Sequence, residues 1–174
     1  VLKPRYIVWH TAADPRDNGN RDTTAAEIRT WHLARGWSDI GYHYVIRKNG
    51  TIEQGRKENT IGSHVRGLNN QSIGICFSGH GDLQPLTDEQ IQSGIELSIK
   101  LMEKYNIPAA NVIGHREINN LIKAGKLRPE YKTTKSCPGN KVNMNIIRAK
   151  IMKELFRRKK EGQKHENLQN DNQD

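Results

Sequence analysis

Apolar positions in this chain fall into a few dense runs and two spaced stripes, separated by stretches rich in Gly, Asn, Asp and Lys. Arg5 to His10 reads Arg-Tyr-Ile-Val-Trp-His, a β-rich run that predicts a buried strand ending at His10. Ala12 to Asp22 is too polar and turn-rich for anything but loop. Thr24 and Glu27 form a capping box, which predicts a helix from about Ala25 to Ala34, closed by Gly36. Tyr42 to Arg47 is a second strand, Asn49-Gly50 a hairpin turn, and Thr51 to Gln54 the returning strand. Ser72 to Ser78 is apolar enough for a central strand. Thr87 and Gln90 form another capping box, before a helix to about Tyr105 with Ile91, Ile95, Ser98 and Met102 near one face. Asn111 to Gly114 reads as a short strand ending at His115, followed by a helix from Glu117 to Lys123. Lys126 to Asn140 is a long irregular loop with two prolines, a kind of segment that often carries function. A last helix spans about Met144 to Phe156, with Ile147, Ile151 and Leu155 as its stripe. From Arg157 the periodicity disappears, so the pattern predicts a disordered polar tail.

Strands alternating with helices, with one hairpin between, predict an α/β domain built on a central mixed β-sheet flanked by helices. A length of 174 residues suits one domain, here 1–156, with 157–174 as the tail. Composition narrows the partners. The formal net charge is +9, which favours polyanions: nucleic acid, an anionic membrane or an anionic cell wall. Lys and Arg run along the whole chain and no zinc-finger or RNA-binding signature accompanies them, so no nucleic acid is expected. No stretch approaches the ~20 apolar residues of a membrane span, and no signal peptide is visible after Val1. Two cysteines imply no disulfide framework. Cys76 lies in the apolar run Ile73 to Phe77, where an inert buried thiol is expected, whereas Cys137 lies in a polar loop before Pro138 and Gly139.

Cys137 therefore attracts attention as a ligand. Together with His10 and His115, each ending a predicted strand, it makes three soft-metal donors. Zinc prefers N and S ligands, and its catalytic sites use three protein ligands plus water. Strand ends on one edge of an open sheet can converge on one point. The spacing alone is weak evidence, because seven histidines offer many such trios.

Five segments, in order, add specificity: Ile7-Val8-Trp9-His10-Thr11-Ala12; Trp31-His32 with Gly36-Trp37-Ser38-Asp39-Ile40-Gly41-Tyr42-His43-Tyr44; Gly50 to Arg56; Gly62-Ser63-His64 with Gly67-Leu68-Asn69 and Ser72-Ile73-Gly74; and Gly114-His115-Arg116-Glu117 with Lys135-Ser136-Cys137-Pro138. In these the chain resembles the zinc-dependent N-acetylmuramoyl-L-alanine amidases, a family that includes amidase-type phage lysozymes and animal peptidoglycan-recognition proteins. The resemblance covers roughly Arg5 to Pro138. It implies a mixed sheet with zinc (Zn2+) at the floor of a cleft, the metal held by His10, His115 and Cys137. It also implies that Tyr42 and Lys135 are catalytic, and that His64 and Asn69 lie on the cleft wall in reach of the stem peptide or muramyl group. Residues 1–156 would then be the amidase domain.

The chemistry that follows is hydrolysis of the amide between N-acetylmuramic acid and L-alanine. Zinc lowers the pKa of a bound water toward ~7 and polarises the carbonyl, and donors aimed at the oxyanion lower the barrier. His43 alternates with Tyr42 along the predicted strand, so it is expected to face the other way, in the core. His32 reads as structural, and Glu117 as a helix-start acid. The expected protein is a monomeric phage endolysin, made in the host cytoplasm and acting on peptidoglycan after release. The alternatives are a non-catalytic peptidoglycan-binding module, a bacterial remodelling or recycling amidase, and a charge-driven nucleic-acid binder. Cys137 speaks against a binding module, since some recognition proteins of this fold lack the thiolate, and against a recycling amidase, since those enzymes carry Asp there.

Overall fold

The computed structural model describes residues 1–173. Five strands, β1 (Tyr6–Thr11), β2 (Tyr44–Ile46), β3 (Ile52–Gln54), β4 (Ser72–Phe77) and β5 (Val112–Gly114), form one sheet in the order β3-β2-β4-β1-β5. β2, β4, β1 and β5 run parallel, and β3 pairs antiparallel with β2 at the edge, so the sheet is mixed. Every residue of β1 and β4 is buried, which fits their continuous apolar sequence and their central places.

Alternation splits the sheet into two faces. Ile7 and Trp9 of β1, Ile46 of β2, and Ile73, Ile75 and Phe77 of β4 pack under α2 (Asp88–Tyr105) and α4 (Met144–Asp171). Two details seat α2 there. Trp9 Nε1 donates to Ser98 Oγ at 3.0 Å, and Gly94 leaves room for the rings, since a Cβ at that position would stand 2.6 Å from Phe77 Cζ. The other face carries Tyr6, Val8 and Ile113 against Ile118 of α3 (Ile118–Lys123). It also carries Val45 and Cys76 against Ala25 and Ile28 of α1 (Ala25–Ala34). His10 shares this second face with Tyr6 and Val8 and stands level with Cys76.

Both capping boxes mark real helix starts. Thr24 Oγ1 accepts from Glu27 N, and Thr87 and Gln90 satisfy each other's backbone reciprocally. Three expectations need correction. The strands around the hairpin are three residues each, so Tyr42 and His43 precede β2 rather than belong to it. A single 3₁₀ turn, His115–Glu117, intervenes before α3. And order does not end at Phe156: α4 continues to Asp171, although every side chain from Arg157 to Gln173 is exposed. Good helix formers and the ion pairs Glu154–Arg158 and Arg157–Glu161, four residues apart, supply the local reason. Among the described residues, no helix is long and apolar enough to cross a membrane.

Candidate metal centre and active site

β1 and β5 are neighbours, with Trp9 level with Gly114. The residues that follow, His10 and His115, are thereby set side by side, their ring centroids 4.9 Å apart. Cys137 comes from the long loop, and that loop is pinned at several points. Arg116 N donates to Cys137 O at 2.8 Å, and its guanidinium donates to Ser136 O (3.0 Å) and Gly139 O (2.8 Å). Thr11 Oγ1 donates to Pro138 O at 2.9 Å. Asp82 accepts from Ser136 Oγ and Asn140 N, both at 2.7 Å. Gly81 and Gly139 pass so close that a Cβ on Gly139, which has φ +128°, would lie 2.1 Å from Gly81 C. The residues flanking two candidate ligands, Thr11 and Arg116, thus fix the backbone of the third.

One donor atom from each of His10, His115 and Cys137 lies within 4.8 Å of the others. His10 Nδ1 and Cys137 Sγ are 3.5 Å apart. Two corners of a zinc tetrahedron with bonds of ~2.0 Å to N and ~2.3 Å to S stand about 3.5 Å apart. Two imidazoles and one thiol are also the donor chemistry zinc favours. The residues present fit that ion.

Electrostatics point the same way. Burial holds His10 well below the usual histidine range, helped by His64, His115 and the Lys135 cation. Burial, then Lys135, takes His115 down to about 4. Both imidazoles are neutral at pH 7, so a lone pair is available on each. Burial pushes the Cys137 thiol up to about 11, against the pull of Thr11, Lys135 and Arg116. Cation binding here would therefore displace a proton from sulfur and none from the histidines.

Around the trio, exposure rises from floor to rim. His10 is buried, Tyr42 half-buried and Lys135 exposed. The Tyr42 ring stands 5.1 Å from that of His10. Burial, Cys76 and Cys137 push its hydroxyl well above the ordinary tyrosine value, so it stays protonated and can donate. Lys135 lies two residues before Cys137, and its charge reaches all three candidate ligands.

Four further polar residues occupy definite places. His32 accepts from Gly41 N through Nδ1 (2.9 Å) and stacks near Trp37, the structural role expected of it. His43 accepts from Gly74 N through Nδ1 (3.0 Å), and its Nε2 donates to Thr60 O (2.7 Å), so it is buried scaffold as expected. It does not face away from Tyr42, however. Ahead of β2 the strand alternation does not hold, and the rings of both residues approach that of His64, His43 at 5.7 Å and Tyr42 at 6.4 Å. His64 places Nδ1 2.9 Å from His10 Nε2 and Nε2 3.3 Å from Ser72 Oγ. Asn69 Oδ1 accepts from His64 N and Val65 N, both at 2.8 Å. Both ring nitrogens of His64 and the side-chain oxygen of Asn69 thus have partners within the protein. The roles of Arg116, Asp82 and Gly74 escaped the sequence reading. Arg116 and Gly74 carried a signal, since both lie in segments that match the family pattern, whereas Asp82 carried none.

The family profile described as N-acetylmuramoyl-L-alanine amidase matches residues 1–140, a span that contains the whole cluster. The endolysin of Enterobacteria phage T3 is 44% identical over 114 residues, which cover 60% of this chain and 73% of that protein. The endolysin of Klebsiella phage KP32 is 37% identical over 102 residues, 56% of this chain and 66% of its own length. Among solved structures, the N-acetylmuramoyl-L-alanine amidase LysC from Clostridium intestinale URNW aligns with a TM-score of 0.71 at 36% identity, covering 86% of each chain.

Proposed function

The chain belongs to the N-acetylmuramoyl-L-alanine amidase family, and on that premise we propose that it is a zinc-dependent peptidoglycan hydrolase of the endolysin type. It cuts the amide between N-acetylmuramic acid and the L-alanine of the stem peptide. The observation that carries this reading is the convergence of His10, His115 and Cys137 donors within 4.8 Å where β1, β5 and the long loop meet. Likeness to phage endolysins supports a role in opening the bacterial wall after release from the host cytoplasm.

His10, His115 and Cys137 would hold the zinc. When bound, the ion supplies Lewis-acid polarisation of the scissile carbonyl and a nucleophile at neutral pH. The protein's own groups do the rest. Tyr42, kept protonated by its burial, donates a hydrogen bond to the oxygen on which negative charge develops. Lys135 brings its positive charge to the same mouth from the exposed side. His64 and Asn69 shape the wall beside the metal through their internal hydrogen bonds, and substrate contact by their remaining edges belongs to this same reading.

Mass spectrometry of digested walls tests the bond. Amide cleavage leaves muramyl sugars with free lactyl carboxylates and stem peptides with a free alanine amine. New reducing ends with stems still attached would mean glycosidase chemistry, which needs a carboxylate pair flanking the bond, and would refute the proposal.

A further inference from the structure

His64 has both ring nitrogens engaged, and the pattern of those bonds has a direction. Ser72 Oγ lies 2.8 Å from Leu68 O, a carbonyl that can only accept. The single hydroxyl proton of Ser72 goes there, so its oxygen is left to accept from His64 Nε2 at 3.3 Å. With the proton on Nε2, neutral His64 has a bare Nδ1. That atom accepts from His10 Nε2 at 2.9 Å, which puts the His10 proton on Nε2. His10 Nδ1 is left bare, and it is the atom that faces Cys137 Sγ.

The surroundings hold this chain rigidly. Asn69 fixes the backbone at His64 and Val65. The sheet is cut away beneath the ring: a Cβ at Gly74 would stand 2.6 Å from His64 Cγ. Gly74 N is itself held by His43 Nδ1. Ser72 is fully buried, so no water competes for its hydroxyl.

We propose that His64 is a positioning residue for the metal ligand His10. The series Leu68 carbonyl, Ser72 hydroxyl, His64 imidazole and His10 imidazole fixes the tautomer and ring plane of His10, so that Nδ1 is presented to the ion. The inference rests on reading His10, His115 and Cys137 as a zinc site. Carboxylates and backbone carbonyls are the usual partners of metal-bound histidines, and losing such a partner typically costs 10- to 100-fold in metal affinity. Here a second histidine occupies that place, and its own tautomer is set by a buried serine.

The test uses the full chain, stripped of metal and titrated with zinc against a chromophoric chelator, with cobalt(II) absorption as a report on ligand geometry. His64→Phe fills the ring's volume and removes both bonds. It is expected to weaken zinc binding by ~10- to ~100-fold and to shift the cobalt d–d bands, while the metal-free protein still melts cooperatively. Ser72→Ala removes the acceptor of His64 Nε2 together with the bond to Leu68 O and should give a smaller loss in the same direction. His64→Gln, which can accept and donate, should recover part of the affinity and the cobalt spectrum. A folded His64→Phe with wild-type affinity and an unchanged cobalt spectrum would overturn the proposal. If that variant does not fold, the same wild-type result for Ser72→Ala overturns it. Failure of the underlying metal reading looks different: His10→Ala would retain wild-type zinc affinity.

Discussion

Tyr42 and Lys135 approach the candidate metal from opposite conditions, one half-buried and neutral, the other exposed and charged. Neither belongs to the proposed ligand trio, so Tyr42→Phe and Lys135→Ala should keep zinc and wall binding and lower kcat more than they raise KM. Loss of one oxyanion donor costs ~100- to ~1000-fold in rate. Steady-state kinetics of zinc-loaded variants decides the point, and wild-type turnover in both would remove them from the mechanism. Asp14 shows a structural carboxylate by contrast. Its side chain is buried and accepts from Arg16 N and Nε (3.0 Å each) and from Thr23 Oγ1 (3.1 Å), which with Arg16 first takes its pKa from 3.8 to about 2. A carboxyl depressed on folding stabilises above its unfolded pKa and loses that contribution as pH falls through the folded value. Asp14→Asn should therefore cost about 1–2 kcal/mol near neutral pH, a figure reduced for the half-exposed Arg16 partner. The deficit should shrink between pH 4 and about 2, as urea melts of both proteins would show. An equal deficit at both ends of that range would mean the charge of Asp14 plays no part.

At the scale of elements, the Ala12–Thr23 connection shows how a polar loop becomes fixed structure. Asp14, Asp17 and Asp22 each gather several donors: Asp17 takes His80 N at 2.8 Å and Gly19 N at 3.0 Å, and Asp22 takes Arg47 Nε at 2.8 Å and Ser78 Oγ at 2.7 Å. The far half of α4 is the opposite case, a helix whose described residues from Arg157 onward are all exposed. Its buried residues, Met144, Ile147 and Ile151, all lie in its first turns. Ending the chain after Phe156 should leave the melting temperature within a few degrees and the zinc stoichiometry unchanged. Loss of cooperative folding in that truncation would show that the arm docks on the domain.

For the whole molecule, charge is less evenly spread than the composition suggests. Ile147 to Lys164 holds eight Lys and Arg against two Glu, a net +6 of the chain's +9, on a helix that projects its polar side to solvent. Attraction to an anionic wall should concentrate there. The Debye length falls from ~10 Å at 0.1 M salt to ~3 Å at 1 M, so retention on purified walls should drop across that range. It should drop less steeply in the chain ended after Phe156. Identical salt curves for the two proteins would place the wall-binding charge elsewhere.

Sequence by itself determined the strands β1 and β4, because their apolar runs leave no alternative to burial, and the starts of α1 and α2, because a capping box is a local contact. It also singled out His10, His115 and Cys137, through ligand chemistry together with a recognisable family pattern. Only the tertiary structure decided the rest. The pairing of β1 with β5 brings positions 10 and 115 together, and no local signal encodes which strands become neighbours. Arg116 and Asp82 acquire their roles by holding a loop some 20 or more residues away along the chain, as the spacings to Ser136 show. Tyr42 and His43 turn toward the same histidine because β2 begins after them, a boundary that alternation of side chains could not locate. The family pattern places His64 on the cleft wall. That its ring also lies against His10 was decided by Gly74, on the strand beside β1, which has no side chain to keep it out.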